Sequence, residues 1–275
     1  MVVAFPNPPS IHRSTGGHKA RKRVGAARRS AYRAMRPRTS AQGDEGAIMN
    51  TRNLAILHRR PDVSPEEFQR YWLETHSGFV VKVPSVYRFG TNLVLESTVE
   101  GLQPDAMGEL WWRTPEDSRI GFSIREGQRA LESGHNIIDQ PRNTGIVLER
   151  LDEFLPEGAA DPPPTVRSFH LLHRRPDVSA EEFERYWREE HAAHALELGG
   201  VLKFATNRVR STRIEGYLPD YAGEVWWESL EACTNRAGAR GYEALVASGE
   251  KIIDKSRSAM ITVQELQTFY PAEQA

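Results

Sequence analysis

Leu57-His58-Arg59-Arg60-Pro61-Asp62-Val63-Ser64 recurs unchanged, 115 residues later, as Leu172-His173-Arg174-Arg175-Pro176-Asp177-Val178-Ser179. An eight-residue identity at one offset marks an internal duplication. The same offset extends it: residues 57–156 against 172–271 share 41 identities in 100 ungapped pairs. All six tryptophans fall in matched pairs, Trp72/Trp187, Trp111/Trp226 and Trp112/Trp227. A period this long, present twice, reads as two copies of one small domain rather than a solenoid. The copies are assigned to 51–156 and 166–275. A proline-rich linker at 157–165 joins them, and a separate segment, 1–50, precedes them.

The chain has 275 residues and a net charge of −1, and that near-neutrality hides an asymmetry. Residues 1–48 hold ten Lys/Arg against two acids, which leaves 26 Lys/Arg against 35 acids for the rest. The basic head is rich in Gly, Ser and Pro and has no amphipathic period, so it reads as disordered. Nucleic-acid binding, an anionic membrane or a transit peptide would each suit it. The preferred reading is a mis-set start, with the true start at Met49 or Met35, because the repeat begins just after Met49. The acidic remainder argues against nucleic acid as the main partner. No run of 18 apolar residues exists, so no membrane helix and no membrane partner are expected. The head lacks the apolar core of a secretory signal, and the expected compartment is cytoplasmic. A single cysteine, Cys233, excludes an intramolecular disulfide and counts against a cysteine-based zinc site.

Within each copy the order of elements reads βαββαβ. In the first copy, strands are expected at 53–59, 86–95, 109–113 and 143–154. Ser64-Pro65-Glu66-Glu67 is a capping box with Pro at the first helical position. The helix it opens carries Phe68, Trp72, Phe79 and Val83 on one stripe, with His76 in the same row. A second helix is expected over 116–133. This order predicts an α+β fold: two ferredoxin-like repeats, each a four-stranded sheet with two helices on one face. Leu110 and Trp112 point to one face of the third strand and Trp111 to the other, so both faces need cover. The expected cover is the other copy's sheet, with a cavity between the two. One chain then forms an intramolecular dimeric barrel and is expected to be a monomer.

Glu66-Glu67-Phe68-x-Arg70-Tyr71-Trp72-x-Glu74-x-His76, Thr91-Asn92 and Gly108-Glu109-x-Trp111-Trp112 resemble the EthD family of the dimeric α+β barrel superfamily. The second copy repeats the resemblance from Glu181 to His191, at Thr206-Asn207 and from Gly223 to Trp227. The resemblance implies the ferredoxin-like barrel, normally built from two chains. The wider superfamily includes lactone isomerases, polyketide cyclases, cofactor-free monooxygenases and haem enzymes, so fold is implied more strongly than reaction.

Candidate site residues follow. His76 and His191 put a group of pKa ~6.5 on an apolar helix stripe, as general acid/base or as hydrogen-bonded core histidines. Glu109 and Glu224 share a strand face with Trp111 and Trp226. There a desolvated carboxylate would shuttle a proton, or would pair with a cation such as Arg88 or Lys203. Asn92, Asn207, His58, His173, Trp111 and Trp226 are expected to line the pocket for substrate. His170 and His173 are three apart on a strand and so face opposite ways, and His194 is Phe79 in the first copy; no metal site is expected. No cofactor is expected, with haem a minor alternative. Two function classes remain. One is a cofactor-independent enzyme performing proton transfer or oxygenation on a small hydrophobic, aromatic or lactone-like molecule. The other is a non-catalytic binder of such a molecule.

Overall fold

A computed structural model describes residues 51–156, 158–163 and 165–271; the basic head at 1–50 lies outside the described residues, as do residues 157 and 164 of the linker. The first half contains β1 (Thr51–Leu57), α1 (Pro65–Tyr71), a π-helical turn (Trp72–His76), α2 (Ser77–Val80), β2 (Val86–Ser97) and β3 (Ala106–Trp112). It ends with α3 (Pro115–Ile120), α4 (Arg125–Gly134) and β4 (Thr144–Phe154). The second half repeats this as β5 (Val166–Arg174), α5 (Ala180–Tyr186), a π-helical turn (Trp187–His191), α6 (Ala192–Glu197), β6 (Val201–Thr212) and β7 (Tyr221–Trp227). It closes with α7 (Leu230–Thr234), α8 (Tyr242–Gly249) and β8 (Ile253–Phe269).

The strands form one closed antiparallel barrel in the order β1-β3-β2-β8-β5-β7-β6-β4. This corrects the expected fold class, in which each copy was a ferredoxin-like α+β repeat with its own sheet. Few, short helices lie outside a single eight-stranded wall. The cause is the length of β4 and β8. Ile146–Phe154 of β4 pairs with β6, and Ile261–Phe269 of β8 pairs with β2, so each half donates its last strand to the other. Closure removes the two open edges that a four-stranded sheet would expose. A repeat in sequence shows that the halves are alike, but not that they share hydrogen bonds.

Strand parity sorts the core into three parts. Inward-facing Leu54, Ile56, Met107, Ile146, Phe169 and Leu171 pack in one part of the barrel interior. Outward-facing Leu57, Leu110 and Trp112 pack with Phe68 and Trp72 beneath the first-half helices. Leu172, Val225 and Trp227 pack with Phe183 and Trp187 in the second half. Ser64 caps α1 as the sequence predicts, its Oγ accepting from the Glu67 N–H at 3.1 Å. The predicted helix over 116–133 is instead broken into α3 and α4. Gly121 lies against the Trp112 ring and Gly127 against the Gly121 carbonyl, with no room for a side chain at either.

Candidate functional site

The barrel interior and the helix-covered exterior hold different chemistry, and the sequence-predicted residues divide between them. Glu109 and Glu224 point inward and are fully buried. Arg52 donates to Glu109 at 2.8 Å and to both oxygens of Glu224 at 3.0 and 2.6 Å. Arg167 donates to Glu224 at 3.1 Å, to Asn92 Oδ1 at 2.7 Å and to Glu109. Arg150 donates to Glu224 at 2.9 Å and to Asn207 Oδ1 at 2.8 Å. Burial alone would raise the Glu109 pKa; Arg167 and Arg52 reverse it and hold the carboxyl below its ordinary range. Glu224 is likewise held down against burial by Arg52 and Arg150. The partners are therefore Arg52, Arg167 and Arg150, rather than the Arg88 and Lys203 considered from the sequence. Those two lie over the Trp111 and Trp226 rings, at 4.2 and 4.8 Å.

Asn92 and Asn207 belong to the same interior network. Their amides donate to the Met107 and Ala222 carbonyls, each at 2.9 Å. His58 and His173 are also buried, at the ends of β1 and β5. Burial, then Arg142 and Arg257 respectively, lowers their pKa values. The His173 ring meets Tyr217 edge-on at 5.2 Å.

His76 and His191 face the other way, outside the wall and beneath the helices. Each ends a π-helical turn that begins at a fully buried tryptophan, Trp72 or Trp187. Such turns inside α-helices are frequent at functional sites. The Nδ1 of His76 is 3.3 Å from Ser133 Oγ, and that of His191 is 3.1 Å from Ser248 Oγ. Tyr71 and Tyr186 hydroxyls approach the same serines at 3.4 and 3.2 Å. Burial lowers the His76 pKa to about 4. Burial, then His194 and His170, lowers that of His191 to about 3. Both rings are neutral at pH 7.

Each histidine lines a cavity between the outer barrel wall and the helices. The first measures about 480 Å³ and is walled by Trp72, Val80, Phe89, Leu110, Phe122 and Ile138 among others. The second measures about 250 Å³ and includes His170, Trp187, His191 and Leu245. The cavity expected between two sheets is thus replaced, for the histidines, by cavities outside the wall. His76 and Glu109 do not share one. Sequence reasoning missed Ser133, Ser248, Tyr71 and Tyr186, although all four are matched in the repeat; hydroxyl residues carry no pattern that announces a histidine partner. Among the described residues no cluster of three or more metal-ligating side chains occurs, and no helix is long and apolar enough to cross a membrane.

The EthD domain matches the chain twice, at residues 60–141 and 175–256, and the chain belongs to the EthD family as a tandem duplication. No curated protein sequence matches it. Among solved structures, an anthrone oxidase-like protein is 14% identical with a TM-score of 0.59, over 83% of this chain and 95% of its own. A candidate monooxygenase from Lactobacillus acidophilus NCFM is 9% identical with a TM-score of 0.51, over 82% and 97%. One from Fusobacterium nucleatum is 6% identical with a TM-score of 0.53, over 82% and 96%. At such identities the likeness is one of fold. The expectation of no cofactor does not stand: nothing among the described residues or the comparisons supports cofactor independence, and the similar structures also include chlorite dismutases, too distant to carry an argument either way. At 12% identity and a TM-score of 0.48 they assign no cofactor to this chain.

Proposed function

We propose that the chain is an enzyme of oxidative small-molecule metabolism, with a hydrophobic substrate in the first-half cavity and His76 as its proton acceptor. The observation that carries this is a neutral imidazole at the wall of an apolar cavity of about 480 Å³, its Nδ1 fixed by Ser133. A pocket of that size and lining suits a small organic molecule. In the tautomer this reading requires, Nδ1–H donates to the serine hydroxyl, and Nε2 is then the ring atom that accepts a proton from an acidic C–H or O–H. The anion so formed is more electron-rich than its parent and gives up electrons more easily to dioxygen, the co-substrate this reading requires. In a site of low dielectric the new imidazolium and the substrate anion stabilise each other strongly. The family resemblance and the oxidative descriptions of the similar folds favour oxidation over isomerisation or cyclisation.

A ligand-binding protein without turnover is the second reading. Its supporting observation is the His76 pKa of about 4, which lies below the range in which a general base works best. Mass spectrometry of the molecule that co-purifies with the full chain, followed by oxygen uptake and product analysis on that molecule, separates the two. Consumption with release of an oxidised product supports the enzyme. Unchanged recovery of the molecule supports the binder.

A further inference from the structure

The two cavities occupy matched places in the repeat but differ in size, in unsatisfied polar groups and in charge. Ala130 and Ala55 line the first. Leu245 and His170 take their places in the second, which is about half the volume. These two small-to-large exchanges at matched positions go with the contraction, against Val80 to Ala195 in the other sense.

Polar satisfaction differs in the same sense. Asn53 Oδ1, Thr144 Oγ1 and Trp72 Nε1 are buried with no hydrogen-bond partner among the described residues, and all three residues line the first cavity. Buried polar atoms of this kind ordinarily have partners; Trp72 Nε1 has an unpartnered counterpart in the second half, so it is Asn53 Oδ1 and Thr144 Oγ1 that point to a ligand in the first cavity. In the second half Ser168 replaces Asn53. Its Oγ accepts from Trp227 Nε1 at 2.9 Å and lies 2.9 Å from His170 Nε2. Ala259 replaces Thr144, and only Trp187 Nε1 is left without a partner, as Trp72 Nε1 is.

Charge completes the contrast. No carboxylate lines the first cavity among the described residues, whereas Arg213 does. Arg213 comes from the second half, just past β6, and its backbone N–H donates to the Gly145 carbonyl of β4 at 2.9 Å. Its side chain is exposed and makes no hydrogen bond or ion pair among the described residues. Thr98 holds the matched position in the first half and does not line the second cavity. The cations that do line the second cavity are engaged: Arg236 donates to the Cys233 carbonyl at 2.7 Å, and Lys255 to Glu250 at 2.9 Å.

We propose that of these two cavities only the first takes ligand, and that the ligand is an apolar small molecule bearing a carboxylate or comparable stabilised anion, held by Arg213 across the seam between the halves. The proposal rests on the reading of the first cavity as the substrate site. It also gives the duplication a use, since one half builds the pocket and the other supplies the anion's partner.

Calorimetric titration of the full chain with 2-naphthoate and with its neutral methyl ester tests this. We expect one naphthoate site per chain. Arg213→Gln should weaken naphthoate about tenfold or more and the ester by less than about twofold, because a hydrogen bond to a charged group is lost only for the acid. Ala130→Leu should abolish binding of both, and Leu245→Ala should leave the stoichiometry at one. Ala55→His repeats the blocking test with a residue that the matched wall already accommodates. Two sites per chain, no binding of either probe, binding that survives both blocking variants, or equal loss of acid and ester in Arg213→Gln would each overturn the proposal. A chain that binds one naphthoate through Arg213 yet turns over its substrate normally in His76→Gln keeps this inference and loses the proposed function.

Discussion

Ser133 Oγ stands 3.3 Å from His76 Nδ1, and the pair recurs, 115 residues on, as Ser248 and His191 at 3.1 Å. The contact ties the last turn of α4 to the π-helical turn and fixes which imidazole nitrogen is committed. It also buries a titratable ring, with consequences for stability as well as chemistry.

The first prediction concerns pH. An unfolded histidine titrates near 6.5, whereas folded His76 titrates near 4, so between those values the unfolded chain binds more protons. Stability therefore falls as pH drops from about 6.5 to 4, by up to about 3 kcal/mol for this one ring. The depressed Glu109 and Glu224 carboxylates contribute stability that is intact above about pH 4.5 and lost only below it, so the windows barely overlap. Urea midpoints at pH 7 and pH 4.5 should differ less in His76→Gln than in the parent chain. An unchanged difference would mean that the ring is not held neutral by burial.

A second prediction concerns the interior. Removing one member of a buried ion-pair network strands its partners, at a typical cost of about 3–5 kcal/mol. Arg52→Met leaves two carboxylates short of a cation and should lower stability by that order. Arg60→Ala removes an exposed pair with Asp62 and should leave the melting temperature nearly unchanged. Similar small effects in both variants would show that the interior charges are not closely coupled.

Third, the chain should sediment as a monomer, because β2·β8 and β4·β6 pairing closes the barrel within one chain. A first half expressed alone would present unpaired β2 and β4 edges and should dimerise or aggregate. A stable, well-folded monomer of residues 51–156 would contradict the strand exchange.

Much of this was legible in the sequence. The 115-residue register, the Ser64 cap and the inward–outward parity of Leu110, Trp111 and Trp112 follow from spacing alone. A barrel within one chain was expected, but as two facing sheets; the exchange of β4 and β8 that makes one closed wall was not legible, because hydrogen bonds between β4 and β6 leave no trace in either copy. The role of Glu109 was half legible: its strand face was right, but its cations lie on β1 and β5, and sequence distance hides Arg52 and Arg167 from it. The break between α3 and α4 was missed because Gly121 and Gly127 look like weak helix positions rather than contact points. Gly127→Ala tests that last point. A methyl group there meets backbone at Gly121 and Phe122, so the variant should lose about 1–3 kcal/mol, where an ordinary helical Gly→Ala exchange would gain stability. A stabilised variant would mean that α4 shifts freely.

The central claim is that His76, in the first-half cavity, accepts the substrate's proton. The most direct measurement is the single-turnover rate of His76→Gln and of His191→Gln, on the substrate identified by co-purification, with melting temperatures recorded alongside. A positioned general base contributes about 10²–10⁴-fold, so His76→Gln should slow turnover by that factor at an unchanged melting temperature, while His191→Gln stays near the parent rate. A parental rate in His76→Gln, or a loss confined to His191→Gln, would contradict the account.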